Sequence, residues 1–347
     1  MVNRAEQLWK NWEESQRQLQ QIPEIDMGSP KMLRLKYDFL TKGLYRITPD
    51  ASGNEKLYLH VIRTVTDKLE KKLYPNLFMR MFHRLSKALV YKPLHMRRFA
   101  DHRLKNMEQL KGELKRVGLN PFSDRLENHL DYETPKVNIS SINRLSDGST
   151  LALDVVFEKD KMDSYQFDHY KATITGKDGN QITSTFPSRT EFDIQEAINL
   201  LQGRAVRKAF EGMDGTVLRK WVQLDLENKI GGEAQMVTYA DTTGFDLKGL
   251  LDKYATDLEH FSLLKERNIA ALEEGHSVSF KLPELGEYHM QADPAENKVA
   301  IYDPGGNYIS HQSLKILVDE AKNEHRYDFS LFPQQKEAIE HTLQISR

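Results

Sequence analysis

The chain has 347 residues, 39% of them hydrophobic and 29% charged, a length that suits two or three domains. It contains no cysteine, which excludes disulfides, thiolate metal sites, thiol nucleophiles and iron–sulfur clusters and fits a reducing compartment. The net charge of −2 conceals an asymmetry: residues 1–120 hold 24 Lys/Arg against 13 Asp/Glu, a net of +11, and residues 121–347 hold the remaining 25 against 38, a net of −13. Such an imbalance points to a polyanionic partner for the basic part, or to attraction between the two parts.

In chain order, residues 2–21 predict a helix with Leu8, Trp9 and Trp12 among Gln, Glu and Lys. Its short apolar patch suits a partner groove, a homodimer or the protein's own helical core. The start of the chain lacks the apolar run of a signal peptide, and no segment approaches the ~20 apolar residues that cross a bilayer. A cytoplasmic location without membrane contact is expected. Helices follow at 31–45, 55–73, 75–91 and 94–117. Lys92-Pro93 is expected to interrupt the last two, because the residue before proline is driven out of the α region. After Gly118 the period changes. A short helix at 122–131 leads to strands at 136–142, 149–158, 164–175 and 180–186, the last two joined by a Lys177-Asp-Gly-Asn180 turn. A helix at 192–202 closes on Gly203. Strands at 204–210, 217–226 and 234–240 come next, then helices at 246–256 and 260–274. A second meander occupies 277–282, 286–292 and 298–302, and helices are expected at 311–322 and 333–345.

This order predicts a multidomain chain, an all-α N-terminal helical region followed by α+β with antiparallel meanders, since most strand connections are too short for parallel crossovers. The segments read as a basic helical region at 1–118, an antiparallel β-meander region at 119–190 and an α+β domain at 191–347.

Residues 71–100 contain no Asp or Glu. On a helix at 75–91, Phe78, Phe82, Leu85 and Leu89 form one face. Arg80, Arg84, Lys87 and Tyr91 repeat that spacing two residues later, about 200° around the helix. Lys71, Lys72, Arg80, Arg84, Lys87, Arg97, Arg98, His102 and Lys105 are therefore the candidate nucleic-acid-binding residues, able to track a phosphate backbone of DNA or RNA. The same ridge also reads as the solvated face of a helical bundle, or as a contact for the acidic part or a protein partner. No nucleic-acid-binding signature accompanies it. No phosphate-binding glycine loop, nucleophile elbow or metal-ligand spacing occurs, so no catalytic residue, metal or cofactor is expected. Tyr165 and Phe167 share one face of a strand and read as core packing more readily than as a base-stacking platform.

At Glu191-Phe-Asp-Ile-Gln-Glu-Ala-Ile-Asn-Leu-Leu-Gln-Gly-Arg-Ala-Val-Arg-Lys208 and Trp221-Val-Gln-Leu-Asp-Leu226 the chain resembles an uncharacterised domain family of Bacteroidota. The resemblance covers about 120–310 and includes Leu126-Glu-Asn-His-Leu130, the Tyr165–Thr173 run, Gly244-Phe-Asp-Leu247 and Tyr302-Asp303. Members of that family look like accessory proteins encoded near conjugative or other mobile elements. The resemblance implies no activity and transfers no functional residue. Within its motif, Arg204 is expected to be buried against an acid such as Asp225. The reading that emerges is a non-enzymatic accessory protein of a mobile element that binds nucleic acid through its basic helical ridge. The competing one is a protein-interaction module or homo-oligomeric regulator, with residues 2–21 as the docking segment.

Overall fold

Each of the first four helices begins on a side chain that answers a backbone donor left unpaired at its start. In the computed structural model, which describes residues 3–160, 162–190, 192–211, 215–240, 244–283 and 285–322, Asn3 caps α1 (Arg4–Gln20) by accepting from the Glu6 N–H. Ser29 caps α2 (Pro30–Ile47), with Pro30 in the first turn. Ser52 and Glu55 form a reciprocal capping box on α3 (Gly53–Leu73), and Asn76 caps α4 (Leu77–Ser86). The helix expected at 333–345 lies outside the described residues.

Pro93 does not break the chain's helical course. Lys92 keeps helical angles, φ −64° and ψ −52°, and its N–H reaches the Lys87 carbonyl five residues back. A π turn at Lys87–Tyr91 thus joins α4 to α5 (Lys92–Arg116). The wider turn makes room where the proline ring would strike a carbonyl of an ordinary helix. Two short helices follow, α6 (Asn120–Ser123) and α7 (Leu126–His129). Helices to residue 116 and then antiparallel sheets give the α+β class that the sequence predicts.

Strands β1 (Lys136–Arg144), β2 (Thr150–Lys159), β3 (Tyr165–Thr175) and β4 (Gln181–Pro187) form one sheet in sequential order. Its hairpins close through Leu145 N–H to Ser149 O and Gly176 N–H to Asn180 O, both 2.9 Å. By contacts the chain divides into two compact units. The first comprises residues 1–141, 154–170 and 187–191, and the second 142–153, 171–186 and 192–347. The division passes through the four-stranded meander.

In the first unit, Ala5, Leu8 and Trp12 of α1 are buried with Leu40, Ile47, Leu59 and Ile62. Gly43 allows this approach, because a Cβ there would lie 2.2 Å from a Leu8 methyl. The apolar stripe of α1 is thus spent on the unit's own core, with Trp9 half-buried against it. Asn106 of α5 is buried and mimics a strand, its amide donating to Tyr165 O at 2.7 Å and accepting from Tyr165 N–H at 2.9 Å. Tyr165 and Phe167 are core residues, as their alternation implies.

Arg4 fastens α1 to α3. Its Nε and Nη2 donate to the Glu55 carboxylate at 2.7 and 3.0 Å, and the Ser52 N–H donates to the same group. The Arg4 hydrogen bond is the main reason that the Glu55 carboxyl is held at about 2, below its usual 4.5. A carboxyl held low stabilises the fold above its unfolded value, and that contribution is lost as pH falls through the folded one. We therefore expect urea titrations to show Glu55→Gln less stable than wild type by about 2 kcal/mol above pH 4.5, the gap closing as pH falls to 2.

The second unit begins its helices in the same way. Asp193 and Glu196 form a capping box on α8 (Ile194–Leu201), and Asp246 caps α9 (Leu247–Asp257). The helix expected at 260–274 is split, because Lys265 is extended (φ −60°, ψ 132°) between a 3₁₀ turn at Phe261–Leu264 and α10 (Glu266–Glu273). Strands β5 (Val206–Glu211), β6 (Val217–Ile230) and β7 (Glu233–Ala240) form a meander with a bulge between Asp225 and Lys229. Strands β8 (Val278–Leu282), β9 (Gly286–Asp293), β10 (Lys298–Tyr302) and β11 (Tyr308–Ile309) form another, and a helix, α11, runs from 311 to 322. Trp221, Phe245, Leu251, Phe280, Met290, Ile301 and Leu314 share its core.

Arg204 does not meet Asp225. Its Nε donates to Gly275 O at 2.7 Å and its Nη2 to the buried Asn199 amide, while Asp225 caps the turn at Glu227 and Asn228. Gly275 (φ +81°) has no room for a side chain, since a Cβ would stand 2.9 Å from the Ala205 carbonyl. The Leu-Leu-x-Gly-Arg-Ala-Val motif therefore has a structural role here, as a clasp between α8 and the loop after α10.

Candidate functional site

Helix α4 is strongly amphipathic, yet none of its residues is buried. Its apolar row faces solvent. Phe78 is 77% exposed, Phe82 63%, Leu85 58% and Leu89 68%, and Leu77, Met79 and Met81 are also more than half exposed. Together with Val90, Tyr91 and Leu94 they present on the order of 1,000 Å² of apolar surface, against the few hundred that a monomer ordinarily shows in one patch.

The basic face opposite points inward. Arg84 donates from Nε to the buried Glu70 carboxylate of α3 at 2.7 Å, and Asp67 lies 3.8 Å from its Nη2. Lys87 donates to the Tyr37 hydroxyl of α2 at 2.9 Å, its ammonium 4.8 Å from the centre of that ring. Tyr37 in turn donates to Glu70 at 3.3 Å. His83 stacks on Tyr74 at 4.2 Å. The helix is thus held by ion pairs, hydrogen bonds and ring contacts.

Between α2, the end of α3, α4, the π turn and α5 lies a cleft of about 380 Å³. Arg34, Lys42, Lys87 and Arg98 line it against one carboxylate, Asp38, and Tyr37, Tyr45, Tyr74 and Tyr91 supply its rings. Burial pushes the Lys87 ammonium and the His83 and His95 imidazoles down, and the Tyr45 phenol up to about 12. Both histidines are therefore neutral at pH 7.

Of the nine candidate nucleic-acid residues, Lys71, Lys72, Arg84, Arg97, Arg98 and Lys105 are exposed, Arg84 while paired with Glu70; Arg80 is half-buried with Nη1 3.4 Å from Tyr74 O, and Lys87 is engaged as above. His102 sits 3.2 Å from the Ser164 hydroxyl. Sequence reasoning did not single out Tyr37, Thr41 and Tyr45. The signal for them was their i, i+4, i+8 spacing, which sets one polar and aromatic row on α2. Among the described residues, no three His, Asp or Glu side chains converge as metal ligands, and no helix is long and apolar enough to cross a membrane.

Comparison with known proteins gave no match, whether to a family model, a curated protein or a solved structure.

Proposed function

We propose that the chain is a non-enzymatic, cytoplasmic protein-interaction module whose docking element is helix α4. The exposed row Phe78, Phe82, Leu85 and Leu89 carries this reading. Its 4-3-4 spacing is that of a coiled-coil seam, so the matching partner is another helix with an apolar row. The 71–100 window holds eight cations and no acid. Lys71, Lys72, Lys92, Arg97 and Arg98 of that window are exposed, and they favour a partner helix flanked by Asp and Glu over a second copy.

The exposed Lys71, Lys72, Arg97, Arg98 and Lys105 favour a second reading, contact with DNA or RNA. The association with mobile elements that the family resemblance implies adds to it. Photo-crosslinking from benzoylphenylalanine at Leu85, in the native host, separates the two. The interaction module predicts a discrete protein adduct that Phe82→Glu abolishes, with acidic residues flanking the partner's cross-linked site. Adducts only to a second copy, or none, would overturn it. A salt-sensitive gel shift lost on replacing Lys71, Lys72, Arg97 and Arg98 by Glu, with no protein adduct, would establish the second reading instead.

A further inference from the structure

The π turn at Lys87–Tyr91 adds one residue to a turn of helix. The step after Leu89 on the apolar row is therefore five residues and reaches Leu94, which is 43% exposed. Leu94 and the exposed Tyr91 also line the cleft between α2, α4 and α5. The apolar row thus runs onto the rim of the cleft, and a helix laid along the row from Phe78 passes its mouth.

That mouth is positively charged. Arg34 and Lys42 of α2 and Arg98 of α5 line the cleft, and all three are exposed, so a partner can reach them. Arg34 donates to the Tyr74 hydroxyl at 3.3 Å. Lys42 and Arg98 have no hydrogen bond or ion pair among the described residues. One exposed acid of the lining, Asp38, stands against these three cations, and Glu70 is buried and held by Arg84 and Tyr37. A carboxylate suits such a site, since an arginine grips it with two parallel bonds and a lysine holds it as a point charge. A phosphate has the same charge logic, but the apolar rim at Tyr91 and Leu94 favours a group borne on a protein helix. An ion pair open to water contributes little. A helix docked over the mouth excludes water from the pair and strengthens it.

We infer that the mouth of the cleft is a socket for an Asp or Glu side chain of the partner helix, one turn beyond that helix's contact with Leu89 and Leu94. Arg98 and Lys42 hold the carboxylate, and Arg34 adds its charge. The assignment rests on α4 as the docking element, and it fixes the register of the partner helix along the apolar row.

Photo-crosslinking of the full chain from benzoylphenylalanine at Leu85, in the native host, supplies the readout. Replacing Lys42 and Arg98 together by Glu is expected to cut the yield of the protein adduct at least about tenfold, and replacing both by Gln about threefold. Lys105→Glu, outside the cleft, should leave the yield unchanged. Both replaced side chains are exposed, so the double variants should keep the thermal melt of the wild type. Carbodiimide treatment of the purified adduct joins amines to carboxylates in contact. It should link Lys42 to an Asp or Glu of the partner, about two to four helical turns from the residue cross-linked to Leu85. Full adduct yield in the Glu double variant, or no link from Lys42 to the partner, would overturn the socket and leave docking through α4 standing. Equal loss in Lys105→Glu would mark diffuse attraction to a basic surface and overturn it as well. No protein adduct from the wild type would overturn both the socket and the docking reading. An unchanged protein adduct, with loss of a DNA or RNA gel shift in the Glu double variant, would assign the cleft to phosphate instead.

Discussion

Replacing Glu70 by alanine is expected to release α4 from the helical unit while the rest of that unit stays folded. Glu70 is buried and receives Arg84 at 2.7 Å and the Tyr37 hydroxyl at 3.3 Å, and its charge is the chief support for a protonated Lys87. None of α4's apolar residues is buried, so no hydrophobic term takes over when the ion pair is lost. A partly buried ammonium left without its counter-charge adds a desolvation penalty. The loss is about 2–3 kcal/mol, read as a rise of roughly a hundredfold in amide hydrogen exchange across residues 77–91, with little change at α1–α2. Glu70→Gln keeps the shape and a hydrogen-bond acceptor and is expected to give a smaller rise. Unchanged exchange in Glu70→Ala would mean that something other than this carboxylate holds the helix.

The second large effect concerns the whole helical unit. Arg46 grips Glu133 with two parallel bonds, Nε to Oε1 at 2.6 Å and Nη2 to Oε2 at 2.9 Å. Both side chains are well buried, at 15% and 2% exposure, and Arg46 also lies over the Phe99 ring at 5.4 Å. Asn11 donates to the Glu133 carbonyl at 2.8 Å, so α1 is tied to the same point. Truncating Glu133 to alanine strands a guanidinium in a dry site, at an expected 3–5 kcal/mol. Replacing Arg46 and Glu133 together by leucine should recover most of that loss, because no buried charge then remains unpaired. Urea unfolding followed through Trp9 and Trp12 in a Trp221→Phe background isolates the helical unit, since Trp221 is the tryptophan of the other unit. A loss under 1 kcal/mol in Glu133→Ala would show that the pair is hydrated in solution.

Much of this architecture was legible in the residues themselves. Apolar periodicity and hairpin turns are local signals, and they marked the helices near 31, 55 and 192 and the hairpin at Lys177–Asn180 within a few positions. Pro93 misled because a proline's effect depends on the turn before it, and the π turn at Lys87–Tyr91 has no sequence signature of its own. The amphipathic character of 75–91 was equally plain. Its orientation was not, because periodicity reports that two faces differ and says nothing of which one meets a partner. Here the decisive group is Glu70, 14 residues before Arg84 and on another helix. With that carboxylate and Tyr37 buried behind it, the polar face of α4 has somewhere to go, and the apolar face is left outside. Arg204 carries the same lesson in the other unit. Its charge pointed to an acid, yet a carbonyl and an amide satisfy it, because a guanidinium needs acceptors and not necessarily a counter-ion. The cleft residues were invisible for a different reason. Thr41, Tyr45, Lys87 and His95 come together only when α2 packs beside α4 and α5.

The inverted seating of α4 is the claim on which the docking reading rests, and the chain's lack of cysteine makes it directly measurable. Single-cysteine variants Leu85→Cys and Leu110→Cys would be alkylated with a small maleimide in the native full-length protein. The apolar face of α4 is exposed and Leu110 is fully buried. The account predicts that Leu85→Cys reacts near the rate of the unfolded chain and Leu110→Cys about a thousandfold more slowly, as expected when a buried position reacts only through rare opening. Protection of Leu85→Cys to a similar degree as Leu110→Cys would contradict it and return the apolar face of α4 to the core.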